Sequence, residues 1–172
     1  MEVKGNQIIK ELRWLSEKMF GKQKAYYDRM LADATPIRIA PLSEVFDEET
    51  IKLIKTQIRP EPKLCFKNAT LLCTMFPDRV KYVEGKFTVA HTISTEHAWN
   101  KVGDKYIDIT MEIALECNPA EEEYIALGEY DESEILPYLF ESKAYGGIYE
   151  QKFLENYGKD LSNKRIYENS LS

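Results

Sequence analysis

Histidine and cysteine are scarce here: two histidines, His91 and His97, and three cysteines, Cys65, Cys73 and Cys117, in 172 residues. The cysteines stand singly, and there is no CxxC pair, HExxH motif or EF-hand loop, so the sequence predicts no metal site. It also lacks a glycine-rich phosphate loop, and no cofactor is expected. An odd cysteine count without framework spacing predicts reduced thiols in a reducing compartment. No hydrophobic run reaches the length of a membrane span. The polar opening Met1-Glu2-Val3-Lys4-Gly5-Asn6 leads into an amphipathic stretch, so the expectation is no signal peptide, no membrane partner and a cytoplasmic location. With 23 basic against 29 acidic residues the net charge is −6, which argues against binding a phosphate backbone and hence against a nucleic-acid partner. Repeats and low-complexity segments are absent as well.

What remains is a globular composition, 44% hydrophobic, of a length that suits one domain over 1–172. The apolar spacing of Ile8, Ile9, Leu12, Leu15, Met19, Tyr26, Met30 and Leu31 predicts a long helical stretch over 6–34, with Gly21 as a point of breakage or bending. Pro36 and Pro41 bracket a connector. A second helix is predicted from Asp47 or Glu48 to Ile58, with Asp47 as its cap. Residues 80–91 read as strand, with Glu84-Gly85 as a bulge or bend, and 122–130 as another. A short helix capped by Asp131 or Ser133 is expected to reach Phe140, its start or course constrained by Pro137. Gly146-Gly147 marks a loop, and a last helix is expected from Tyr149 to about Tyr157 before a polar tail. The predicted class is α+β, with a helical part over 1–62, a core over 63–130 that sets helices against an antiparallel sheet, and a helical part over 131–172.

The core carries the chemistry. Pro60 and Pro62 disfavour helix before Lys63, and the apolar spacing of Leu64, Ala69, Leu72 and Cys73 then starts a helix within a residue or two of Cys65. The unpaired amides and positive dipole end of such a start favour thiolate. Downstream, Gly103-Asp104 is a turn signal between two strand-like runs, 95–102 and 105–110. A two-residue turn pairs Val102 with Lys105, which extrapolates to His97 opposite Thr110 and Trp99 opposite Asp108. Asp108 then lies diagonal to His97, within reach of its ring. Read singly, Cys65 is a small buried hydrophobe, His97 a structural histidine and Asp108 a strand-end carboxylate. Read together, they are a thiol nucleophile, its base and the group that orients the base.

A cysteine opening a helix, then His97-Ala98-Trp99 on a strand, then Asp108-Ile109-Thr110 ending a strand, resembles the transglutaminase-like branch of the papain-like cysteine enzymes. The same stretch resembles short proteins, many of them in bacteriophage genomes, that share Cys-x-Asn-Ala, Tyr-Val-Glu-Gly, His-Ala-Trp and Asp-x-Thr. Here those fall on Cys65 to Ala69, with Lys67 inserted before Asn68, on Tyr82 to Gly85, on His97 to Trp99 and on Asp108 to Thr110. The resemblance covers 63–110. It implies Cys65 as nucleophile, His97 as base and Asp108 as orienting group. Two departures stand out: Leu64 where many such cores have Gly, and Ile109 where many have Pro.

Further candidates surround these three. Gln57, eight positions before Cys65, falls close to where papain-like enzymes place an oxyanion glutamine, and is otherwise a solvated helix residue. Asn68, one helical turn beyond Cys65, could line the same cleft, and Trp99 is either core packing or a substrate wall. Glu84 reads as structural or solvated, His91 as a surface or rim residue, and Cys73 and Cys117 as structural. The expected activity is cysteine-dependent acyl transfer on a protein or peptide-like substrate, with hydrolysis of an amide preferred because water is always available. Transfer to an amine, as in a transglutaminase, and a catalytically inactive binding module of phage or bacterial origin remain the alternatives.

Overall fold

The computed structural model describes residues 6–170, the side chains of 161–170 excepted. The predicted opening helix is two helices, α1 (Gln7–Lys18) and α2 (Gly21–Asp33). Met19 and Phe20 are extended between them, and Gly21 has φ of 57°, a conformation that glycine alone adopts without cost. The helices fold against each other, tied by the Ser16 hydroxyl to the Asp28 carboxylate. Asn6 caps α1, accepting from the amides of Ile8 and Ile9.

The connector between Pro36 and Pro41 contains β1 (Thr35–Ile37), a short edge strand that pairs antiparallel with β5 (Tyr124–Tyr130). Pro36 fits there because an edge strand tolerates a missing donor. Helix α3 (Glu48–Gln57) follows, with Asp47 accepting from the Thr50 amide at 2.7 Å. Helix α4 (Cys65–Met75) starts at Cys65. Of its six buried residues all but Thr70, namely Cys65, Asn68, Ala69, Leu72 and Cys73, form one helical stripe, so the thiol is the first position of the face that packs inward. Burying Leu72 alone contributes about 1.5–3 kcal/mol.

Strands β2 (Val80–Thr88), β3 (Ser94–Val102) and β4 (Lys105–Ile107) complete an antiparallel sheet of order β1-β5-β2-β3-β4. The sheet also closes on itself: the amide of Ala40 donates to Tyr106 O at 2.7 Å, so the chain just past β1 binds the opposite edge. Enclosed between them, Ile39, Val83, Phe87, Trp99, Tyr124 and Ala126 form one apolar cluster.

The β3-β4 register is the one a two-residue turn predicts, Val102 opposite Lys105, but it stops at Asn100 opposite Ile107. His97 is therefore not paired with Thr110 on this edge, while on the other edge of β3 it lies opposite Gly85 of β2. The chain from Asp108 onward leaves the strand, and Thr110–Ala114 makes one π-helical turn, closed by the Leu115 amide on Thr110 O at 3.0 Å. The predicted bulge in β2 is present as a register shift against β5 between Glu84 and Gly85. A Cβ on Gly85 would lie 2.0 Å from Ile125 O and 2.6 Å from the Trp99 ring, so only glycine fits opposite His97.

Two helices finish the chain. In α5 (Glu132–Ser142) Asp131 and Glu134 form a capping box, and Pro137 sits inside the helix rather than at its start. Helix α6 (Ile148–Ser170) is longer than predicted. Its start is held by Glu84, whose buried carboxylate accepts from the amides of Ile148 at 2.8 Å and Tyr149 at 3.2 Å and from the Tyr82 hydroxyl at 2.9 Å. Burial raises the Glu84 pKa, although all three donors favour its charged form. None of the described helices is long and apolar enough to cross a membrane.

Candidate active site

Past Asn100, β4 no longer covers the edge of β3. The first turn of α4 and the turn after Asp108 meet each other beside it, joined by the Asn68 side chain on Thr110 at 3.0 Å. Cys65, His97 and Thr110 consequently line one cavity of about 590 Å³. All three are buried, while Glu96 and Glu121 on its rim are exposed, so the reactive groups lie at the floor. Phe66, Phe87, Met111 and Leu115 supply apolar walls, and Lys63 stands at the mouth.

His97 is held at one ring nitrogen and over one face. Its Nε2 lies 2.6 Å from Asp108 Oδ2, and its ring stacks on Phe87 with centroids 3.9 Å apart and 20° between planes. Asp108 is in turn saturated. Oδ1 accepts from the amides of Thr110 and Met111, both at 3.1 Å, and Oδ2 also accepts from the Tyr124 hydroxyl at 2.7 Å. An ionised carboxylate that accepts four hydrogen bonds can remain buried, because each donor replaces a lost water.

These contacts decide the charge on His97. Burial pushes against the imidazolium, but the Asp108 carboxylate at hydrogen-bond distance and the Cys65 thiol against the ring outweigh it, and the pKa is pushed up to about 9. With Nε2 committed to Asp108, Nδ1 is the nitrogen left to the thiol. A stability prediction follows. In the unfolded chain the imidazole titrates at its ordinary value of 6.5, in the fold at about 9. The charged ring therefore stabilises the fold fully below the lower value, and that contribution is lost as pH rises through the upper one. Urea denaturation is expected to show stability falling by up to about 3 kcal/mol between these two pH values. A flat profile over that window would show that His97 carries no shifted proton.

Cys65 begins α4 without a side-chain cap: Leu64 occupies the N-cap position, and the amides of the first turn are left with no side-chain acceptor. That is the arrangement that stabilises negative charge at a helix start. Lys63, with φ of 65°, turns the chain into it.

Other sequence candidates are placed differently. Gln57 is the last residue of α3, exposed and outside the cavity. Trp99 does not line the cavity either. It is buried in the closed sheet, edge-on to Tyr124 at 5.1 Å and 85°, and acts as core. Asn68 is buried and spends its amide on the backbone of Glu61 and on Thr110 rather than facing substrate. His91 is exposed at the rim, where Glu122 holds the loop by accepting from the Ala90 and His91 amides. Cys73 is structural: its thiol points to Val80 O at 3.2 Å, and burial pushes its pKa up to about 12. Cys117 is exposed and lines the same cavity as Cys65, which its isolated position in the sequence did not signal. Tyr124 was missed too, since nothing local ties a tyrosine on β5 to an aspartate after β4.

Among the described residues, no group of three or more His, Cys, Asp or Glu side chains is placed to hold a metal ion. No protein-family model, curated protein or solved structure matches this chain.

Proposed function

We propose that this protein is a cysteine-dependent acyl-transfer enzyme of transglutaminase-like, papain-like design, acting as a thiol hydrolase on an amide bond of a protein or peptide-like substrate. The observation that carries the reading is the convergence of Cys65, at an uncapped helix start, with a His97-Asp108 pair at the floor of one cavity.

The steps follow from the placement. Cys65 Sγ, as thiolate paired with the His97 imidazolium, attacks the acyl carbon, and the carbonyl π electrons move to oxygen. The tetrahedral adduct collapses, the C–N bond breaks, and His97 Nδ1 gives its proton to the departing amine. An acyl-thioester remains on Cys65. Water then attacks this thioester while His97 Nδ1 takes its proton, the C–S bond breaks, and the carboxylic acid leaves with the thiolate restored. Asp108 keeps its contact with Nε2 throughout and holds the ring in one orientation. Hydrolysis is preferred over amine transfer because water is always available, whereas an amine needs an acceptor pocket.

The test uses p-nitrophenyl acetate as acyl donor, with and without a primary amine. Turnover of p-nitrophenolate with an acetyl adduct trapped on Cys65, and loss of both in Cys65→Ser, is the expected result. A product distribution unchanged by the amine marks a hydrolase, and N-acetylated amine marks a transferase. Acetylation of Cys117 as fast as Cys65 would sink the enzyme reading and leave the non-catalytic binding module.

A further inference from the structure

An acyl-transfer site needs hydrogen-bond donors aimed at the oxygen that becomes negative in the tetrahedral adduct. The Cys65 backbone amide is one donor, and with Gln57 outside the cavity no second is evident from the sequence. Resting on the proposed acyl-transfer reading, we propose that the Thr110 hydroxyl is the second donor, and that Asn68 sets the direction of its proton.

The direction is fixed by hydrogen-bond arithmetic. The Asn68 amide sits between the two backbone groups of Glu61: Nδ2 donates to Glu61 O at 2.9 Å, and Oδ1 accepts from Glu61 N at 3.4 Å. A peptide N–H can only donate and a C=O can only accept, so the amide has one orientation. Its Nδ2 therefore faces Thr110 Oγ1 at 3.0 Å as a donor. Thr110 must accept there, and its own proton has to point elsewhere. Among the described residues that proton meets no acceptor, and Thr110 lines the cavity that holds Cys65 and His97. Asn68 is one helical turn from Cys65 on the same face of α4, which keeps the hydroxyl beside the nucleophile. The Thr110 backbone is anchored independently, since its amide donates to Asp108 Oδ1 at 3.1 Å. Asp108 thus orients the base with one oxygen and the start of the Thr110 turn with the other. A hydroxyl preset in this way costs no reorganisation when charge develops on the substrate oxygen.

The experiment compares two reactions of the same thiol in the full-length protein. Acylation by p-nitrophenyl acetate passes through a tetrahedral oxyanion, whereas alkylation by iodoacetamide displaces iodide and does not. Thr110→Val is expected to slow Cys65 acylation by about 10²-fold while leaving Cys65 alkylation at the wild-type rate. Thr110→Ser, which keeps the hydroxyl, is expected to restore acylation. Should the valine variant fail to fold, Thr110→Ala is compared in the same way. Acylation at the wild-type rate in a folded variant without the hydroxyl overturns the proposal. So does a parallel fall in both rates, which would make Thr110 a structural support of the thiol. Wild-type Cys65 that alkylates but is never acylated overturns the acyl-transfer reading itself, and this assignment with it.

Discussion

Replacing His97 with alanine is expected to lower Cys65-dependent acylation by about 10²–10⁴-fold, the range that a positioned general acid-base contributes. The thiol loses the only imidazole beside it, and the departing amine loses its proton donor. Alkylation of Cys65 by iodoacetamide should slow as well, because the thiol loses the basic group that takes its proton. The fold should survive the change. Asp108 keeps three donors, the amides of Thr110 and Met111 and the Tyr124 hydroxyl, so the buried carboxylate is not abandoned. Its lost partner and the vacated space against Phe87 are expected to cost about 1–3 kcal/mol, visible as an earlier urea midpoint. Stopped-flow acylation and alkylation rates on wild type and variant decide the matter. If Cys65 alkylates at the same rate with and without His97, the two groups are not coupled, and the site is better read as a binding surface than as an active site.

How far such a site can be read from sequence depends on how local its determinants are. The β3-β4 register follows from Gly103, whose φ of 62° marks a tight turn, and the turn length alone sets the pairing of Val102 with Lys105. The start of α4 at Cys65 follows from the prolines before it and the apolar spacing after it. Both signals lie within a few residues of what they fix. The extrapolation from Lys105 to Thr110 failed because the chain leaves the sheet once the Asp108 side chain takes two backbone amides, a local choice that strand periodicity does not register. The same departure creates the contacts that matter most, since it turns Thr110 to Asn68 and frees the edge of β3 for α4. Gln57 illustrates the opposite error. Its distance along the chain matches a family pattern, yet it lies outside the cavity, and the segment between it and Cys65 contains Arg59 and Lys63, both of positive φ. The pairing of β1 with β5 and the closure through Ala40 join segments far apart in sequence, for which a single chain carries no signal. Glu84 reads from the sequence as structural or solvated but not as the cap of α6, because that partnership spans a long stretch of chain.

Asp108→Asn is the most searching test of the remaining geometry, because the substitution preserves shape and reverses one half of the hydrogen bonding. Two backbone amides face Oδ1, and neither can become an acceptor. The asparagine oxygen must therefore stay on that side, which places its NH₂ group toward His97 Nε2 and the Tyr124 hydroxyl, where Oδ2 now accepts from both. To avoid two opposed donors, His97 has to present Nε2 as an acceptor and carry its proton on Nδ1, the nitrogen that should take one from Cys65. The ring is then held in place but in the wrong tautomer. Acylation is expected to fall by about 10³–10⁴-fold with the thiol still present and the cavity intact. The same change removes the negative charge that raises the His97 pKa, so the loss of stability between pH 6.5 and about 9 predicted for the wild type should flatten in the variant. Acylation kinetics and urea midpoints at the two pH values read the two effects separately. Activity within a few-fold of wild type would mean that Asp108 does not set the tautomer. A pH slope that persists would mean that some other group holds the charge on His97.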